Sequence, residues 1–197
     1  MHALAGLADD APTRDLRQTC IDVLCAYLRL PYTAQDDLPA GDPEAQHAYL
    51  ALKEVPHTVI RVIRDHFRLA LDHPHCWQGH HLDLTNVIFD GGDLTGAVVL
   101  NTVVDFSGAV FNGGMMCFNE AAFSGSTVSF ESGRFSDGTV DFAGARFDSG
   151  SVDFSMARFS GAAVSFDSPR FPVRVGRARS QGRRNAGRKG KTRSCRT

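Results

Sequence analysis

The chain reads as a mainly β protein: a parallel β-helix with four short faces per coil, preceded by a small α-helical segment. Three observations predict it. Phenylalanine recurs at 106, 118, 130, 142, 154 and 166, a period of 12, and again at 111, 123, 135, 147, 159 and 171, offset by five. Small or β-branched residues stand two positions before many of these rings (Ala109, Val128, Val140, Ala145, Val152, Ala157 and Val164), and Gly, Ser and Asp fill the gaps. The chain also holds 14 Phe against 3 Tyr and 1 Trp, a skew expected when one structural slot is filled repeatedly. An internal repeat this regular dictates the fold class.

Residues 1–72 read as helical. Met1 to Ala8 resembles the end of a helix that lacks its beginning. In LRQTCIDVLCAYLRL, Leu16, Cys20, Leu24 and Leu28 fall four apart, with Ile21 and Tyr27 widening the stripe, and Pro31 stops the helix. Residues 32–42 form a polar connector. Asp42 and Pro43 then supply an N-cap and a first-turn proline, opening a helix through about Glu54. Pro56 is expected to interrupt or kink it, and His57 to Leu69 continues with Ile60, Ile63 and Phe67 on one side. Residues 73–81 are a junction loop, in which Trp77 is expected to cover the open end of the first coil.

The repeat fills 82–171. Leu84, Phe89, Leu94 and Val99 are spaced by five, after which the spacing alternates five and seven. A closed 12-residue coil has a perimeter of only roughly 40 Å, too small for two Phe, a Val and an Ala at normal density. A 24-residue coil holds them, so two dodecads are paired per coil. Each Phe and the residue two before it then point inward, and the residue between them points outward. The predicted core is Phe89, Leu94, Phe106, Phe111, Phe118, Phe123, Phe130, Phe135, Phe142, Phe147, Phe154, Phe159, Phe166 and Phe171. Four outward columns follow: Val110, Arg134, Arg158; Ala122, Arg146, Arg170; Asp105, Ser129, Asp153; and Cys117, Asp141, Ser165. About four coils make a rod roughly 20 Å long.

At FSGAVF, VDFAGARF and VDFSMARF the chain resembles pentapeptide-repeat proteins, whose unit is A-(D/N)-L-x-x with Leu or Phe at the centre. The resemblance implies a right-handed quadrilateral β-helix. ALAGLADDAP, RQTCIDVLCAYLRLPY, HTVIRVIRDHFR and WQGHHLDLTNVIFDGG extend it, resembling the helical region before such repeats in a group of bacterial members. Relatives in that group often carry membrane-spanning helices upstream. The family offers no catalytic residues and no cofactor to carry over. It also lends an alternative function, since some members resemble duplex DNA in shape and charge and bind DNA gyrase.

Charge is divided unevenly. No acidic residue follows Asp167, while 11 of the 21 Lys and Arg lie beyond it; residues 1–169 carry 10 cations against 22 acids, a net −12. The tail 172–197 lacks aromatics and apolar periodicity and is expected to be disordered, with counterion release as its route to nucleic acid or an acidic surface. Five scattered cysteines without C-x-x-C spacing predict reduced thiols in a cytoplasmic protein. No window approaches 18 apolar residues, so no membrane span is expected.

His73, His75, Cys76, His80 and His81 crowd HPHCWQGHH and have the donor types of a zinc site, but their spacing matches no standard finger; a polar junction loop is the favoured alternative. GGDLTG and NGG precede no helix and read as corners rather than phosphate loops. No enzyme pattern emerges. The expected function is a non-enzymatic protein-binding or structural scaffold. A homodimer through the open rod end near Phe171 and nucleic-acid binding by the tail are further partner expectations.

Overall fold

The computed structural model describes residues 1–30 and 43–169, without the side chains of 45, 46 and 48–53. The connector 32–42, Arg170, Phe171 and the tail 172–197 lie outside the described residues.

Eleven strands occupy the repeat: β1 (Leu82–Asp83), β2 (Ile88–Phe89), β3 (Gly92–Asp93), β4 (Val98–Leu100), β5 (Val103–Asp105), β6 (Val110–Cys117), β7 (Ala122–Ser129), β8 (Arg134–Asp141), β9 (Arg146–Asp153), β10 (Arg158–Phe159) and β11 (Ala163–Ser165). Every pairing is parallel, and no strand pairs with its neighbour in sequence. The result is a β-solenoid of about four turns.

The register fixes the turn length. Val110 pairs with Arg134, Ala122 with Arg146, and Ser129 with Asp153, each 24 residues apart. Leu82 pairs with Val104 and Ile88 with Val110, only 22 apart. The first turn is therefore two residues shorter, and the difference lies in the corner from Phe89 to Gly92, which faces the longer stretch from Phe111 to Met116 in β6. Alternation along each strand places a Phe inside and its predecessor outside, as pleated geometry requires.

The rings form ladders. Phe106, Phe130 and Phe154 stack at 4.8 and 4.7 Å, within 4° of parallel. Phe111, Phe135 and Phe159 stack at 4.7 and 4.6 Å, with Phe89 beneath at 5.1 Å. Phe118, Phe142 and Phe166 stack at 4.7 and 4.9 Å, and Phe123 lies 5.1 Å from Phe147. Neighbouring ladders meet edge-on or tilted, as with Phe118 and Phe130 at 84°. Ring quadrupoles favour such contacts, so the lumen is a packed aromatic core. Leu94 is buried in the same core. At the last turn the pattern lapses: Phe159 is 53% and Phe166 38% exposed. These two belong to the ladders but not to the dry interior, because the described residues place no further turn above them.

Seven of the eight short corners follow one recipe; at the eighth, Phe166 to Pro169, the third residue is a proline and has no N–H to donate. An outward residue precedes the ladder residue, and the chain then turns through a hydrogen bond from the third residue onward back to the ladder carbonyl. Examples are Ala109 N–H to Phe106 O at 3.0 Å and Ala145 N–H to Phe142 O at 3.0 Å. The residue before the turn's end is left-handed at all eight corners, including Glu120, Ser132, Met156 and Ser168, where a side chain raises the cost. The longer corners depend on glycine: a Cβ on Gly150 would strike the Ser126 carbonyl oxygen.

Three helices precede the rod: α1 (His2–Asp9), α2 (Arg14–Leu28) and α3 (Pro43–Phe67). Thr13 caps α2 by accepting from the Leu16 amide at 3.3 Å, and Asp15 sits in the first turn where the helix dipole favours it. Ile60, Ile63 and Phe67 are buried, as their spacing predicts. Ile63 and Phe67 share a ≈10 Å³ apolar void with Leu82, Leu94, Val99 and the first rings of three ladders, so α3 closes the near end of the lumen.

Three helical expectations need correction. The buried stripe of α2 is Ile21, Leu24, Cys25 and Leu28, whereas Leu16 and Tyr27 are exposed and Cys20 is only half-buried. The helix carries two apolar stripes, and docking selects the one nearer Ile21. Pro56 does not interrupt α3, which runs on to Phe67; the buried anchors Val59 to Phe67 hold the following segment in place. Trp77 is fully buried, but it packs against His66 at 4.0 Å and donates to Asp9 at 3.2 Å. The lumen end is lined by Ile63 and Phe67 instead. A fourth correction concerns the thiols: Cys20, Cys25 and Cys76 are free, but Cys117 is disulfide-bonded.

Candidate functional site

The crowded junction loop serves as a joint. His73 Nδ1 accepts from the His75 amide at 3.1 Å, and Cys76 Sγ accepts from the Gln78 amide at 3.4 Å. His80 Nδ1 and the His81 amide both reach Gln18 Oε1, at 3.2 and 2.9 Å. These residues therefore face different partners. Among the described residues no three His, Cys, Asp or Glu side chains are grouped to hold a metal ion, so the zinc reading of His73, His75, Cys76, His80 and His81 gains no support. Burial, followed by the nearby Arg14 and Arg17 cations, pushes His80 below the usual histidine range. His75 and His66 instead flank the Asp9 carboxylate, at 3.8 and 3.2 Å, tying α1 to α3 and the loop.

Arginines fasten the helices to the first turn. Arg29 pairs with Asp83 at 2.6 Å, Arg64 pairs with Asp93, and Arg68 donates to the Thr95 carbonyl. Burial raises the Asp93 carboxyl, but hydrogen bonds from Thr95 and the Arg64 guanidinium outweigh it, leaving the group below the ordinary carboxylate range. Asp83 behaves alike: burial opposes, and Thr85 and Arg29 prevail. Cys25, beneath this joint, has its thiol pushed up to about 12, by burial first and then by Asp22 and Asp83.

The outward columns fall where the 24-residue coil places them. Arg134 stands in register between Val110 and Arg158, Ser129 between Asp105 and Asp153, and Asp141 between Cys117 and Ser165. Ser129 thus separates Asp105 from Asp153, and Cys117 separates Asp93 from Asp141, whereas Asp83 and Asp105, and Arg134 and Arg158, are direct neighbours, mildly unfavourable like-charge pairs.

The repeated acids also have a structural task. Asp83, Asp93, Asp105, Asp141 and Asp153 each accept from the backbone amide two residues on, at 3.1, 2.9, 2.8, 3.0 and 2.7 Å. They close the corners as Asx turns. The signal was present in DLTN, DLTG, DFSG, DFAG and DFSM. It is a turn signature, and general acid–base chemistry has no need of it.

Outside the rod, Leu16, Val23 and Tyr27 of α2, and Leu30 just beyond its end, face solvent, 39–59% exposed. With Cys20 they follow a four-three-four-three spacing, the seam of a helix that packs on another helix. Among the described residues no helix is long and apolar enough to cross a membrane. No family model, curated protein or solved structure matches this chain.

Proposed function

We propose that the protein is a non-enzymatic interaction scaffold built on a pentapeptide-repeat rod, right-handed and four-sided, with its helical segment and one rod face engaging another protein. The single observation that carries this reading is the continuous aromatic ladder. Rings spaced 4.6–5.1 Å apart fill the lumen, so the interior holds no volume for a substrate and the chemistry of the molecule is left to its outside. The helical contact is the stripe of Leu16, Val23 and Tyr27 on α2, continued by Leu30 just past its C-terminus. Val23→Asp with Leu30→Asp tests it. A partner retained from native-host extract by the wild-type chain is lost by this variant and kept by a rod-corner control, Ser155→Ala. Equal retention by both variants, or none above background for the wild type, refutes the reading.

DNA mimicry toward gyrase is a second reading. It is favoured by one observation: the columns containing Asp105 and Asp153, and Asp141, include no cation. Supercoiling by purified gyrase, measured with protein lacking 173–197, decides it, and unchanged activity at micromolar protein removes it.

A further inference from the structure

We propose that the rod face bearing Arg134 and Arg158 receives an amphipathic helix of a partner protein, its acidic turns over the arginines and its apolar turns over Val110 and Ile88. The inference rests on the scaffold reading and names the face and the chemistry of what that face engages. Two observations carry it. First, Ile88, Val110, Arg134 and Arg158 stand in register on four successive rungs, each just before a ladder Phe. This outward column changes from apolar to cationic along the rod axis: Ile88 is 47% exposed, Val110 is half-buried and both arginines are exposed.

Second, the two arginines are neighbours without a counter-ion. The other like-charge neighbours, Asp83 and Asp105, are met by Arg29, which pairs with Asp83 at 2.6 Å. Arg134 and Arg158 make no ion pair among the described residues, although Glu131 and Asp137 each stand three positions from Arg134. Guanidiniums one rung apart, roughly 4.8 Å, repel each other, and each offers a fork of donors that a carboxylate fits. Carboxylates from a partner turn this repulsion into attraction.

The rung spacing selects a helix. Residues i+3, i+7 and i+10 rise about 4.5, 10.5 and 15 Å above residue i of an α-helix, against rungs at about 4.8, 9.6 and 14.4 Å. A helix laid along the rod axis therefore keeps one side chain over each rung, whereas same-side residues of an extended strand recur every ~6.8 Å and fall out of step. A nucleic-acid strand fits less well. Residues 82–168 hold 11 acids against 3 arginines, a net −8 that repels a polyphosphate chain, and two of the four rungs are apolar. A helix with two apolar and two acidic turns uses all four.

The test titrates the isotope-labelled full chain with a synthetic Ala-based helix of about 18 residues, carrying Leu at i and i+3 and Glu at i+7 and i+10. The Arg134 and Arg158 Nε–H resonances are expected to shift saturably, with a Kd below about 1 mM. A control helix with both Glu moved to its opposite side, and the Arg134→Gln, Arg158→Gln protein, are each expected to bind about tenfold more weakly. Arg146→Gln, on the Ala122 column, is expected to bind like the wild type. The double variant is expected to melt no lower than the wild type, because it removes a repulsion. No saturable shift, equal binding by the control helix or the double variant, or a lowered melting temperature in that variant overturns the inference. A short DNA duplex that moves the same resonances at lower concentration than the helix also overturns it, assigning the face to phosphate. These failures are separate from failure of the scaffold: a host partner still lost by Val23→Asp with Leu30→Asp leaves that reading standing.

Discussion

Removing one ring from the middle of the ladder is the sharpest test of how the rod is held together. Phe130 is fully buried, stacked between Phe106 at 4.8 Å and Phe154 at 4.7 Å, and touched by rings of the two adjoining ladders. Phe130→Ala removes the transfer energy of a whole side chain and leaves a cavity whose walls are other stacked rings. Substitutions of this type cost about 3–5 kcal/mol, and two lost stacking partners place this one near the upper end. Phe159 has one stacked partner, Phe135 at 4.6 Å, and is 53% exposed, so the same truncation there costs about 1–2 kcal/mol. Urea titration followed by far-UV circular dichroism measures both. A solenoid turn contacts only its neighbours, so the Phe130→Ala gap also weakens coupling between the two halves, and the slope of the transition falls as well as its midpoint. Equal costs at the two positions, or a cost below about 1 kcal/mol for Phe130→Ala, would refute the ladder as the source of stability.

Further outcomes follow from the same geometry. Gly150→Ala drives a Cβ into the Ser126 carbonyl oxygen at φ 95° and destabilises the rod by about 2 kcal/mol or more, read as a lowered melting temperature. Met156→Gly relieves a left-handed, exposed residue at φ 58° and stabilises by about 0.5–1 kcal/mol in the same assay. The carboxyls of Asp83 and Asp93 sit below their ordinary value of 3.8, so their contribution is present above that value and is lost as pH falls through the folded-state value. Acid titration of stability should therefore decline below about pH 4, and less steeply in Asp83→Asn, Asp93→Asn. With its thiol at about 12, Cys25 resists iodoacetamide at pH 8 in the native chain, whereas half-buried Cys20 reacts; mass spectrometry separates the two.

The rod was legible in the sequence because its code is periodic and redundant. A 12-residue Phe rhythm plus a volume limit is enough to fix a two-dodecad coil, and with it the outward neighbours Arg134 and Arg158. The joint was less legible. Leu16 and Ile21 lie on two apolar stripes of one helix, and nothing local says which one finds the rod. Arg29 and Arg64 find partners 54 and 29 residues away, a match that spacing does not encode. Pro56 argues locally for a break, and tertiary anchoring overrides it. The Asx corners are written in DFSG-type tetrapeptides, where each aspartate stands two residues before the amide it accepts from.

The mismatch between a 12-residue rhythm and a 24-residue circuit limits how this molecule can change length. Duplicating or deleting one dodecad keeps every ring in the lumen, so such a variant still packs. It also swings everything beyond the edit half a circuit around the axis, bringing arginine-bearing and aspartate-bearing sides to new bearings relative to α1–α3. Only edits in whole 24-residue steps preserve the alignment between the helical cap and the far end. Any lineage that elongates this rod while keeping one partner must therefore grow by pairs.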